Sequence, residues 1–158
     1  MVKCLRIQLE LSAALRAPAT PREDHPVPYI DHMTSLASTS LSVEERALLE
    51  RFASILRERL AASLHAIWLY GSRARGEPAS HEDSDVDLLV IVKDASWNGK
   101  AQVHEAFDEA ARQLELQRIT PGFSIHIETP EWLERRRAIK SFFIAEVDRD
   151  KVVIEGLE

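Results

Sequence analysis

Apolar and polar positions change period several times along the chain, and each change marks an expected element. Near the start, Leu5, Ile7, Leu9 and Leu11 alternate with Arg6, Gln8 and Glu10, the period of two that a half-buried strand shows. Pro18, Pro21, Pro26 and Pro28 follow among charged residues, which predicts an extended connector rather than a helix. After the polar stretch Thr34–Ser40 comes Ser42-Val43-Glu44-Glu45, a capping box in which a hydroxyl and a carboxylate each satisfy a free N–H of a helix start. Residues 1–40 therefore read as an arm or linker and 41–158 as the compact domain. Within that domain Leu48, Phe52, Ile55 and Leu56 recur at helical spacing to about Leu60, and His65–Tyr70 is a short apolar run ending at Gly71.

Val86–Val92 is a second run, apolar on both faces over Leu88–Val92, as expected of a central strand covered on both sides. Val103, Phe107, Ala110 and Leu114 predict a helix over about 100–117, which Pro121-Gly122 breaks. Phe123, Ile125 and Ile127 then alternate through a third strand. Thr129 followed by Pro130 opens a helix carrying Trp132, Leu133, Ile139 and Phe143 inward, and Val152–Ile154 closes the sheet. The order of elements predicts an α/β or α+β fold with a sheet packed between helices.

Composition narrows the functional classes. The 158 residues carry 20 Lys and Arg against 26 Asp and Glu, a net charge of −6, which argues against a non-specific nucleic-acid binder. The lone Cys4 excludes an internal disulfide and a cysteine-based zinc site. No apolar run approaches the roughly 18 residues of a membrane span, and Arg6, Glu10 and Arg16 interrupt any signal-like core. The expectation is a soluble cytoplasmic protein.

The chemistry concentrates in Tyr70-Gly71-Ser72-Arg73-Ala74-Arg75-Gly76 and Ser84-Asp85-Val86-Asp87. Asp85 and Asp87 are two apart at a strand start, so their side chains leave one face about 7 Å apart. Two such carboxylates repel, and a divalent cation between them relieves it. Mg²⁺ fits, since it binds one or two carboxylates plus substrate phosphates. A solvated acidic loop, with Glu82 and Asp83 alongside, is the plainer reading. Against it, Asp87 opens directly onto an apolar strand. Gly71 permits close backbone approach to a phosphate and the Ser72 hydroxyl can donate to one. Arg73 and Arg75 add positive charge, and Gly76 suits a helix C-terminus.

Strand, Gly-Ser, short helix, Asp-x-Asp and strand together resemble the nucleotidyltransferase superfamily of DNA polymerase beta. The full run from Tyr70 to Val92 is similar to the minimal nucleotidyltransferases, a group that includes antitoxin partners of HEPN ribonuclease toxins. The resemblance covers about residues 42–158 and implies the polymerase-beta-like fold. It also implies attack by a hydroxyl on the α-phosphate of a nucleoside triphosphate, ATP by preference, with loss of pyrophosphate. Gly71, Ser72 and, more speculatively, Arg73 would hold the triphosphate, and Asp85 and Asp87 a pair of Mg²⁺ ions. The acceptor so implied is a Tyr of a HEPN-type toxin, with this chain as its antitoxin.

One departure stands out. Catalysing members place a third carboxylate on a later strand, here Phe123–Glu128, and alignment puts Ser124 at that position. His126 and Glu128 share the Ser124 face. His126 is open as ligand or base, or as a plain strand residue. Glu128 lies roughly 13 Å along the strand from Ser124 and reads more simply as a strand end. Two other functions therefore stay open: a non-catalytic binding module on this fold, and an aminoglycoside-type enzyme, whose additional substrate domain the chain has no room for. A homodimer or a helical partner is also open. Arg135-Arg136-Arg137 reads as a solvated face, Trp68 as core and Trp97 as a loop aromatic.

Overall fold

The structure is a computed structural model that describes residues 36–77 and 85–156. The expected strand over 5–11, the proline-rich connector, the acidic residues 82 and 83, and Ser84 lie outside the described residues. Among the described residues nine regular elements follow Leu41: α1 (Val43–Leu60), β1 (Leu64–Tyr70), α2 (Gly71–Ala74), β2 (Val86–Val92), α3 (Trp97–Gln113), β3 (Phe123–Glu128), α4 (Pro130–Ala138), α5 (Phe142–Asp150) and β4 (Val152–Gly156), with 3-10 turns before β1 and β3.

The strands form one mixed sheet in the order β3-β2-β1-β4. β1 pairs antiparallel with both β2 and β4, and β2 pairs parallel with β3. The unbroken apolar run of β2 is explained by its place between two strands and two helical layers. Its Val86, Leu88, Val90 and Val92 join α1 and α3 in one core, while Leu89 and Ile91 join Ala66, Trp68, Leu133, Ile144 and Val147 in a second, under α4 and α5.

Local chemistry sets the element ends. Ser42 and Glu45 form the capping box that starts α1, the Ser42 N–H donating to Glu45 at 2.7 Å and the Glu45 N–H to the Ser42 hydroxyl at 3.1 Å. Thr129 accepts from the Trp132 N–H with Pro130 at the first turn of α4. Leu36 and Leu41 are buried in the α1 side of the core, so the polar stretch read as the end of the arm supplies a core residue through Leu36.

Three expectations need correction. The helix expected over 100–117 is α3, from Trp97 to Gln113, because Ser96 caps it by accepting from the Gly99 N–H. Trp97 is thus its first residue, 90% exposed, not a loop aromatic. The helix after Thr129 is two helices: Lys140 sits at φ +52, and the N–H groups of Lys140 and Ser141 bond back to the carbonyls of Arg137 and Arg136, a Schellman stop. That turn leaves Ile139 68% exposed rather than inward. No helix among the described residues is long and apolar enough to cross a membrane.

Candidate active site

The two halves of the sequence motif meet where β1 runs out and β2 begins. β1 hands over to α2 at Gly71, which has φ +76, and a Cβ placed there would lie 2.8 Å from the Asp87 Oδ2. Glycine is therefore required twice, by its backbone angle and by the carboxylate against its Cα. Across the strands Tyr70 is the register partner of Asp87, and Asp87 the partner of Ser124. Strand alternation then puts Tyr70, Asp87 and Ser124 in one row on the α4–α5 face of the sheet, with Ser72 half-buried at the turn. Ser124 is exposed, so the row opens to solvent at β3.

Among the described residues no cation relieves the charge of this corner. Asp87 is half-buried and Asp85, one residue before β2, is exposed. Burial first, and then the Asp85 charge, hold the Asp87 carboxyl above the usual carboxylate range. Burial, and then Asp87, likewise raise the Tyr70 phenol. Among the described residues no Lys, Arg or His side chain forms an ion pair with Asp85 or Asp87. Nor do the described residues hold a group of three or more His, Cys, Asp or Glu able to take a metal ion. Two neighbouring carboxylates with no counter-cation among the described residues are a donor set that would suit Mg²⁺ carried with a triphosphate. They do not make an all-protein metal cage.

Residues 50–128 match the family model of the polymerase beta nucleotidyltransferases. The chain belongs to that family. Its mixed sheet between helical layers is the polymerase beta-like nucleotidyltransferase fold, and its function is of the nucleotidyltransferase type. The match runs from within α1 to the last residue of β3, and α4, α5 and β4 lie beyond it. No curated protein matches the chain.

Set in the nucleotidyltransferase fold, the remaining candidates separate. Arg73, expected beside the triphosphate, is 7% exposed and bonds through its Nη2 to the Glu45 carboxylate of α1. Its carbonyl also accepts the Ser40 N–H at 3.1 Å. The burial has a physical reason: α2 has to be tied to α1, and a buried guanidinium needs a carboxylate. Arg73 is a tie between helices. Arg75 is exposed at the other side of α2 and pairs with Glu77 and Asp150. Of the β3 trio, Ser124 lies opposite Asp87, His126 opposite Leu89 and Glu128 opposite Ile91. His126 and Glu128 bond to one another at 3.0 Å.

Sequence reasoning read Trp132 and Phe143 as inward-facing residues without placing them beside Tyr70 and His126. Phe143 of α5 meets Tyr70 edge-on at 5.6 Å and His126 at 5.8 Å, and Trp132 of α4 lies 5.5 Å from His126. The period-two signal could have found Tyr70, which precedes Gly71 on the Trp68 side. Nothing in the strand pattern points to Trp132 or Phe143, because they come from helices beyond the motif.

Proposed function

We propose that the chain binds a nucleoside triphosphate, ATP by preference, with Mg²⁺ at the corner of Gly71, Asp85 and Asp87, and transfers the nucleotidyl group to a hydroxyl of a partner protein. The observation that carries this reading is the abutment of Gly71 on the Asp87 carboxylate, which brings a phosphate-compatible turn and a metal-compatible carboxylate pair to one point. Gly71 lets phosphate oxygens approach the backbone, and the Ser72 hydroxyl donates to them. Asp85 and Asp87 hold the cation, which when bound neutralises charge building on the phosphate and the leaving pyrophosphate. Positioning and charge neutralisation carry most of such a transfer. By family resemblance the acceptor is a Tyr of a HEPN-type toxin, and the chain acts as its antitoxin in the cytoplasm. The residues before Leu36 are an accessory arm to the domain, whose core takes in Leu36.

A second reading has its own observation. Ser124 stands directly opposite Asp87, where a third carboxylate would complete the site, and this favours a binding module that holds a nucleotide or a partner without chemistry. Label transfer from α-phosphate-labelled ATP with Mg²⁺ into lysate of the host separates the two. A labelled protein band with the wild type, absent with Asp85→Ala/Asp87→Ala, is the expected result. No band, with Mg²⁺-ATP binding still measurable and lost in the double variant, selects the binding module. Equal Mg²⁺-ATP binding by wild type and double variant overturns the metal assignment.

A further inference from the structure

We infer that His126, oriented by Glu128, is the general base that takes the proton of the attacking hydroxyl, in the place of the third carboxylate that Ser124 does not supply. The inference rests on the nucleotidyl-transfer reading above and names the proton acceptor for it. The row across the sheet explains why one is needed. With Ser124 opposite Asp87, the carboxylate pair is occupied in holding cation, and an incoming hydroxyl must lose its proton to another group on the same face.

Apart from Asp85, the strand residues beside Asp87 on that face that can take a proton are Tyr70, His126 and Glu128, while Arg136 of α4 lies over the Trp132 ring and Arg137 and Lys151 lie over Trp68. The Tyr70 ring is half-buried and packs edge-on against Phe143 at 5.6 Å, and a phenol, ordinarily protonated near neutral pH, is a poor acceptor. Glu128 is one strand step further from Asp87 than His126 and is engaged by it. His126 sits diagonally across from Asp87, its register partner Leu89 being two residues on. With strands about 4.8 Å apart and a rise of about 3.3 Å per residue, the two Cα atoms are roughly 8 Å apart, within reach of long side chains.

The ring is set up as a base by three contacts. A carboxylate can only accept, so the 3.0 Å contact means that the His126 Nε2–H donates to Glu128 Oε1. In the neutral ring that bond puts the proton on Nε2 and the lone pair on Nδ1, which makes no hydrogen bond among the described residues. Trp132 at 5.5 Å and Phe143 at 5.8 Å hold the ring plane. The side chain is nevertheless 43% exposed, open to an arriving hydroxyl. A base within reach of the reacting proton and a carboxylate orienting that base form the arrangement that activates a hydroxyl nucleophile.

The step balances as follows. The acceptor O–H bond breaks with its proton passing to His126 Nδ1, the acceptor oxygen forms a bond to the α-phosphorus, and the bond from that phosphorus to the bridging oxygen breaks with its electron pair leaving on pyrophosphate. His126 then returns the proton to water.

The test uses the full chain, Mg²⁺-ATP affinity by calorimetry, and label transfer from α-labelled ATP in host lysate. His126→Gln is expected to keep Mg²⁺-ATP affinity within about twofold and to lower transfer by about 100-fold or more, the usual worth of a general base. His126→Asn serves if the Gln variant is misfolded by circular dichroism. Glu128→Gln, a positioning change, is expected to lower transfer at saturating ATP with the ATP KM unchanged, and to add nothing in the His126→Gln background. Transfer by the folded His126 variant within about threefold of wild type overturns the inference. An additive Glu128 effect overturns the coupling. Wild type that binds Mg²⁺-ATP and transfers nothing overturns the base while leaving the nucleotide site standing. Failure of the wild type to bind Mg²⁺-ATP overturns that site, and the base with it.

Discussion

On the sheet face under α1 and α3, Phe52 meets Phe107 edge-on at 5.4 Å and Phe107 meets Phe123 at 5.2 Å, and fully buried leucines and valines fill the space around them. On the face under α4 and α5, the buried apolar set is smaller and gives way at one end to Tyr70, Asp87 and Ser124. Both faces are made by the same strands at alternating positions. In β2 the first face reads Val86, Leu88, Val90 and Val92, while the second reads Asp87, Leu89 and Ile91. One face buries methyl groups along its whole length, and the other gives up burial at its first position for a carboxylate with no cationic partner among the described residues. The larger apolar burial is on the first face, and the second carries a carboxylate without an ion-pair partner among the described residues, a feature that marks candidate functional sites.

The sharpest way to break that division is Phe52→Ala. Phe52 is fully buried, so its truncation is expected to cost about 3–5 kcal/mol, read by urea unfolding, with Mg²⁺-ATP affinity of the folded variant unchanged. A loss under about 1 kcal/mol would mean the first face is not where stability resides. Next in size is Arg73→Met. The Arg73 and Glu45 side chains are 9% and 18% exposed, and removing the guanidinium is expected to cost about 1–3 kcal/mol without altering Mg²⁺-ATP affinity. A tenfold weaker affinity at undiminished stability would return Arg73 to the phosphates.

The same two faces show what could be read from the chain. Periodicity exposes both cores, because an alternating strand and a capped amphipathic helix are written locally: Ser42-x-x-Glu45, Phe123-x-Ile125-x-Ile127 and the Leu88–Val92 run all take the structure they predict. In the β2–β3 register Ser124 is the partner of Asp87. What escaped depends on contacts between distant segments. Arg73 next to a Gly-Ser turn reads as a phosphate ligand, and its contact with Glu45 of α1, 28 residues away in sequence, is not written in that local pattern. Ile139 fits the apolar stripe of one long helix until Lys140 adopts a left-handed backbone and ends it. Trp132 and Phe143 gain their place beside His126 only through the packing of α4 and α5 on the second face.

The smallest expected effect is the most discriminating, because it has the opposite sign. Burial and Asp85 raise the Asp87 carboxyl above its ordinary range, so the folded chain holds that proton more tightly than the unfolded chain does. Between the ordinary carboxylate value, about 4, and the raised folded one, stability falls as pH rises, and at neutral pH the whole penalty is present. Asp87→Asn removes the charge at nearly constant shape. The variant is expected to melt slightly above wild type at pH 7.5, with the difference vanishing below the unfolded carboxyl's range, and to lose Mg²⁺-dependent nucleotide binding. Excess Mg²⁺-ATP should raise the melting temperature of the wild type and not of the variant, since only a ligand of the folded state shifts that equilibrium. If Asp87→Asn instead melts lower at neutral pH, the carboxylate has a stabilising partner in the free protein, and the contrast between a sealed face and a charged one fails at the residue where it was drawn most strongly.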